Sequence, residues 1–142
     1  MNTQILNRKG ARKVAEVPEE VLALLNKGEI ETVNLTEWLA IDHTILVEHV
    51  FPTIGIPEAI TSTIKQKVKE QKKPTAMNSV KLVGGLLYDF FVDRDDYQKT
   101  FEQLSSHSSD TIRSYAPFLV SLNPKFEVTE KFEQIKMLIA DQ

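Results

Sequence analysis

The sequence predicts an all-α protein, an α-α superhelix of about seven helices joined by short links. Three observations carry this. Apolar residues recur at helical spacing along most of the chain, at i, i+3, i+4 and i+7 in its clearest stretch. No segment of useful length alternates apolar and polar residues as a half-buried strand would. Prolines, glycines and short polar caps fall between the periodic segments, where helices stop and start. At 142 residues the chain is long enough for one domain with a real core. Its apolar share of 42% and charged share of 26% are those of a soluble globular protein.

Taken in order, the first ten residues read as an arm, part of a basic segment over 1–15. Pro18 with Glu19 and Glu20 starts the first helix, since proline suits an early helical position and acids suit the positive end of the dipole. Gly28 ends it. Asn34-Leu35-Thr36-Glu37 has capping-box spacing and opens a helix whose apolar face is Leu35, Trp38, Leu39, Leu46 and Val50, stopped by Pro52. Pro57 starts a third helix with Ile60, Ile64 and Val68 as a narrow apolar stripe and Lys65, Lys69, Lys72 and Lys73 as a separate basic one. Thr75 or Asn78 caps a fourth, apolar nearly all round from Val80 to Phe91 and therefore central. Gly84-Gly85 inside it implies close approach by a neighbouring helix, because glycine otherwise costs about 1 kcal/mol relative to alanine. A polar turn at Arg94 to Asp96 precedes a short helix with Tyr97, Phe101 and Leu104.

The clearest stretch is Ser105 to Leu122, SSHSSDTIRSYAPFLVSL. Ile112, Tyr115, Ala116 and Leu119 fall on one helix face. Ser108 or Ser109 caps it, Asp110 meets the positive dipole end, and Asp110–Arg113 has the spacing of an i, i+3 ion pair. Pro117 removes one backbone hydrogen bond and bends the helix. Asn123-Pro124 then breaks the chain, Thr129 caps, and a last helix carries Phe132, Ile135, Leu138 and Ile139. The organisation expected is one helical-repeat domain over 1–142: the basic arm at 1–15, N-terminal helices over 16–74 and helical hairpins over 75–142. The sequence stops directly after an apolar helix face, which in a stacked-helix protein calls for a capping repeat or a partner, another protein or a second copy.

The net charge of −3 is unevenly spread. Residues 1–15 carry Arg8, Lys9, Arg12 and Lys13 with no acid, +4. Residues 16–58 stand at −8, 59–81 at +5 and 82–142 at −4. This favours local basic patches over a generally basic nucleic-acid binder. Cysteine is absent, so disulfides, thiolate chemistry and cysteine-ligated zinc are excluded, which fits a cytoplasmic location. No run of about 18 apolar residues offers a membrane span. No cofactor is called for.

An Asp-x-Ile-Arg-x-x-Ala helix with an internal proline, linked to another amphipathic helix, looks like an ARM/HEAT-type repeat. The stretches Gly10-Ala11-Arg12-Lys13-Val14, Gly28 to Leu35, Glu37-Trp38-Leu39-Ala40-Ile41-Asp42 and His107-Ser108-Ser109-Asp110-Thr111-Ile112-Arg113 together resemble the DNA alkylation repair protein family, superhelices of HEAT-like repeats. The resemblance spans most of the chain, and it implies that relatives continue past the point matching Gln142. It implies binding to duplex DNA and, in the family's glycosylases, removal of alkylated purines without a metal. The family's catalytic aspartate sits in a Trp-Trp-Asp-x-Val-Asp-like stretch. Asp110 matches its first acid, serines stand in place of both tryptophans, and Arg113 stands in place of the second acid.

The candidate residues follow. Asp110 is the candidate catalytic group, a carboxylate to steady the cationic sugar as a glycosidic bond breaks; the competing reading is a helix-start acid serving only the fold. Arg8, Lys9, Arg12, Lys13, Lys65, Lys69, Lys72, Lys73 and Arg113 are candidate DNA-binding cations, able to neutralise phosphates with release of counterions; the competing reading is a solvated face. The basic segment lacks exposed aromatics, so it would contact backbone rather than read bases. Asp42, His43, Glu48 and His49 do not make a metal site, because histidines six apart fall on opposite sides of a helix. His107 lacks the orienting acid a serine nucleophile needs. Trp38, Phe90, Phe91 and Phe101 are core. The alternative function is a non-catalytic scaffold that binds another protein.

Overall fold

The computed structural model describes residues 3–121 and is all-helical, with no strand among the described residues. The expected break at Asn123-Pro124 and the terminal helix with its apolar face lie outside the described residues. In chain order the helices are α1 (Thr3–Leu6), α2 (Glu19–Asn26), α3 (Leu35–Ala40), α4 (His43–Val50), α5 (Glu58–Lys69), α6 (Ala76–Phe91), α7 (Tyr97–Ser105), α8 (Asp110–Arg113) and α9 (Ala116–Ser121). Short 3-10 turns occupy Val14–Glu16 and Phe51–Ile54.

The core forms where the periodic apolar positions meet. Ile60, Ile64 and Val68 of α5 are all buried, as their spacing requires. They meet α4, whose Leu46 and Val47 are fully enclosed, and α6, whose Val83, Leu87 and Phe91 are equally so. Each such side chain contributes about 1.5–3 kcal/mol relative to exposure. The closest packing of α6 is on α5 before it and α9 after it, while α7 lies against α8 and α9. Ile112, Tyr115, Ala116 and Leu119 are all fully buried, so the face read from Ser105 to Leu122 is the inner one.

Local chemistry sets the boundaries, and several differ from expectation. The basic arm is not free: α1 buries Ile5, and Arg8 is tied to α3. The helix expected from Asn34 to Val50 is two. Asn34 caps α3 through the Glu37 N–H, the chain then turns extended at Ile41, and Asp42 caps α4 by accepting from the N–H groups of Thr44 and Ile45. This break rotates the two halves independently, so Leu46 and Val50 point inward while Leu35 and Leu39 point out. The basic helix ends at Lys69, with Lys72 and Lys73 in the bend before Pro74, so the four lysines are not one helical stripe. The helix expected after Ser109 is also split. α8 ends at Arg113, and Pro117 is the second residue of α9, where its missing N–H costs nothing.

Gly28 and Gly84 act where predicted, while Gly85 has nothing within 4 Å of a Cβ added there. Gly28 follows α2 at φ +72°, and the Glu29 and Gly28 N–H groups return to the Leu24 and Leu25 carbonyls, a Schellman end. A side chain on Gly84 would strike Phe118 of α9, which is the close approach expected there.

Candidate functional site

The loop between α2 and α3, residues 28–34, is where three of the predicted charged residues, Arg8, Asp110 and Arg113, converge. Ser109 caps α8 by accepting from the Ile112 N–H, which fixes Asp110 at the start of that helix. From there the Asp110 carboxylate reaches Thr32. One oxygen accepts from the Thr32 backbone N–H at 3.0 Å and the other from its hydroxyl at 2.5 Å. Arg113 does not pair with Asp110. It pairs with Glu31 at 3.0 Å and donates to the carbonyls of His107, at 2.8 Å, and Ser108, at 3.3 Å. The Ser108 hydroxyl donates to the Gly28 carbonyl at 2.9 Å. His107 closes the same turn by accepting from the Ser109 N–H on Nδ1 at 3.0 Å. Burial and then the Arg113 charge lower its pKa.

Arg8 reaches this loop from the other side. Its Nε and Nη2 donate to the two Glu37 oxygens, each at 2.6 Å, a fork-on-fork pair. Its Nη1 donates to the Ile5 carbonyl and its Nη2 also to that of Glu31. Glu37 is 1% exposed and accepts as well from the Val33 N–H. Burial alone would raise its pKa; the Arg8 hydrogen bonds, the Val33 N–H and the Arg8 charge outweigh that and lower it. Arg8 is therefore a structural cation, with all three of its nitrogens on protein acceptors, Arg113 is held through its Nη1, and the two Asp110 oxygens hold Thr32.

A second polar pair sits deeper. His43 Nδ1 and the Tyr115 hydroxyl lie 2.5 Å apart, both groups buried. Burial lowers the His43 pKa to about 4 against the opposing Asp42 charge, and burial raises that of Tyr115. Both are neutral at pH 7. Of the other residues weighed as metal ligands, Asp42 caps α4, Glu48 pairs with Lys65 at 3.1 Å and His49 is exposed. Among the described residues no three histidine or acidic side chains cluster as a metal site would require.

The remaining cations are open. Lys69, Lys72 and Lys73 are exposed, as is Lys67, and none makes an ion pair among the described residues. Lys9, Arg12 and Lys13 are exposed on the segment leading to the Val14–Glu16 turn, which packs on α3. Lys69 also edges a cleft of about 570 Å³ at the other end of α3, between Leu39 to Thr44 and the start of α6. The cation groups expected to act together thus lie to either side of α3, less Arg8, Arg113 and the paired Lys65.

Sequence reasoning missed Thr32, Glu31 and Glu37 as the partners that occupy the predicted site. Glu37 had a signal in its capping-box spacing from Asn34, although its carboxylate bonds the Val33 N–H rather than that of Asn34. Thr32 had none. No helix among the described residues is long and apolar enough to cross a membrane. Comparison with family models, with curated proteins and with solved structures finds no match of any of the three kinds.

Proposed function

We propose that this chain is a helical-repeat module of the ARM/HEAT kind that binds duplex DNA along its phosphate backbone, and that Asp110 serves the fold rather than a reaction. The observation that carries the reading is the exposed Lys69, Lys72 and Lys73 cluster at the end of α5, free of carboxylate partners among the described residues. Lysines without neighbouring aromatics neutralise phosphates and do not read bases. Lys9, Arg12 and Lys13 are exposed as well. Both Asp110 oxygens already accept hydrogen bonds from Thr32, which argues against their use on a sugar cation.

The test is binding of a duplex of about 20 base pairs at about 50 and 200 mM salt, by wild type and by Lys69/Lys72/Lys73→Glu. The expected result is a loss of about tenfold or more with salt and a similar loss with charge reversal. No binding at the lower salt, or binding indifferent to the three substitutions, would refute it. A scaffold role has one observation of its own, the outward leucines of α3.

A further inference from the structure

The cleft of about 570 Å³ is lined from the ends of α3 and α5 and from the starts of α4 and α6. Small-molecule sites span roughly 300–1,000 Å³, so its size is theirs. Leu39, Val68 and Ala76 give it apolar walls, and Asp42 and Lys69 bring it opposite charges. Neither charge is used up. Asp42 takes its capping hydrogen bonds, from the Thr44 N–H and hydroxyl and the Ile45 N–H, on Oδ1, which leaves Oδ2 without a partner among the described residues. Lys69 makes no ion pair among them, with Asp42 or any other acid, so carboxylate and ammonium stand apart within one cleft. Glu70, next in the chain, lies outside the lining and accepts from Gln66 Nε2 at 3.0 Å.

Two buried polar side chains also line the cleft, His43 at 4% exposed and Ser79 at 5%. Ser79 Oγ accepts from Gln71 Nε2 at 3.0 Å, and its own proton has no acceptor among the described residues. His43 Nδ1 meets the Tyr115 hydroxyl, while its Nε2 is enclosed without a partner among them. Buried groups with hydrogen-bonding capacity left over are exceptions in folded chains. A cleft that gathers two of them beside a separated pair of charges suits a polar guest.

From this we infer that the cleft binds a small aliphatic zwitterion, an amino acid or dipeptide of leucine type. Its ammonium sits on Asp42 Oδ2, its carboxylate on Lys69 and the Ser79 hydroxyl, and its side chain against Leu39, Val68 and Ala76. Both ends then make charge-assisted hydrogen bonds, the stronger kind, beside apolar walls that lower the local dielectric. A ligand with one sign of charge fits less well, since an anion meets Asp42 and a cation meets Lys69. No phenyl, phenol or indole ring lines the cleft, so it offers a base no such stacking face. The inference stands apart from the duplex reading: Lys69 is common to both, and Asp42 and Ser79 belong to the cleft alone.

The experiment is calorimetric titration of the full chain at pH 7, without DNA, by L-leucine and by leucyl-leucine. Two truncated probes accompany them: leucinamide, which lacks the carboxylate, and isocaproate, which lacks the ammonium. At least one zwitterion binds with a Kd of about 0.1–1 mM, and each truncated probe binds about tenfold more weakly or not at all. The stronger of the two zwitterions tells a free amino acid from a peptide. Asp42→Asn keeps the cap of α4, because asparagine caps as well as aspartate, and removes the charge. Lys69→Gln changes an exposed side chain. Each variant keeps the wild-type thermal transition and weakens the zwitterion by about tenfold. No heat from either zwitterion at about 10 mM would overturn the inference. So would a truncated probe that binds as tightly as leucine, which would make the cleft a plain anion or cation site, or an affinity that neither variant changes. Because DNA is absent from the titration, its failure leaves the duplex reading standing, and failure of duplex binding leaves this one standing.

Discussion

The loop at 28–34 and the end of α5 are both rich in charge, and they use it in opposite ways. At the loop both arginines are engaged: Arg8 on Glu37 and two carbonyls, Arg113 through Nη1 on Glu31 and two more. Asp110 is spent on Thr32. At the end of α5, Lys69, Lys72 and Lys73 face solvent. The difference lies in the partners. Arg8 and Glu37 are 29 residues apart in sequence, and Thr32 and Asp110 are 78 apart, so tertiary packing decides whether a charge is available. The residues with the most suggestive local motif belong to the sealed region, and the plainest lysines to the open one.

The comparison breaks if the loop is not energetically sealed. Arg8→Ala would leave Glu37 ionised, enclosed and without its cation, an error that costs about 3–5 kcal/mol in buried pairs. Urea unfolding at pH 7 measures it. Replacing both partners, as Arg8→Met/Glu37→Leu, restores most of the loss, because the cost lies in the orphaned charge. A loss below about 1 kcal/mol in the single variant would show the pair to be a surface contact. The acid limb follows from Glu37. Its folded pKa is lowered, so its contribution is complete above the ordinary value of 4.5 and disappears as pH falls through the folded one.

A second sealed pair predicts a different pH window. In the unfolded chain His43 takes a proton near 6.5, whereas in the folded chain burial holds it neutral down to about 4. The unfolded state therefore binds more protons across that interval, and stability falls as pH drops through it, by roughly 3 kcal/mol in all. Unfolding free energies from pH 7 to 4 show the slope, and His43→Gln flattens it. Part of the slope persists in that variant, because the pKa of His107 is lowered too. An unchanged slope would mean that His43 titrates freely.

Asp110→Ala sharpens the comparison from the other direction. It removes the acceptor of two hydrogen bonds from Thr32, with an expected loss of about 2 kcal/mol of stability and no change in duplex affinity. Lys69/Lys72/Lys73→Glu should do the reverse, changing stability by about 0.5 kcal/mol at most while weakening DNA. If Asp110→Ala weakened DNA binding at unchanged stability, the division between sealed and open charge would be wrong.

Much of the helical content was legible because it rests on local rules. Pro57 with the Ile60, Ile64 and Val68 spacing defined α5, and the serine cap before Ile112 defined the start of α8. The misreadings share one cause. Asp42 is a helix cap in the middle of an apolar pattern continuous enough to look like one helix, and Pro117 can begin a helix as readily as bend one. For the site, the sequence supplied the charged residues without their partners. An i, i+3 spacing suggested Asp110–Arg113, but Thr32 and Glu31 on a distant loop competed for those two side chains and took them.

The same division between sealed and open holds at the scale of two neighbouring residues in α6, and it gives two small predicted effects of opposite sign. Gly84 is buried under Phe118, where an added Cβ would lie 2.6 Å from Cγ and 2.9 Å from Cβ of that side chain. Those are atoms near the α9 backbone, which cannot swing aside as a side-chain tip would. Gly84→Ala must therefore push α9 away, and the overpacking, about 1–3 kcal/mol, exceeds the gain of about 1 kcal/mol in helix propensity. Gly85, one residue on, has nothing within 4 Å of the corresponding position. Gly85→Ala keeps the propensity gain without the clash and should stabilise by about 0.5–1 kcal/mol. Thermal unfolding of the two variants side by side makes the check, and the opposite signs are its content. Stabilisation by both would mean that α9 does not press on α6 at Gly84, and that the packing of those two helices is looser than the fold described here.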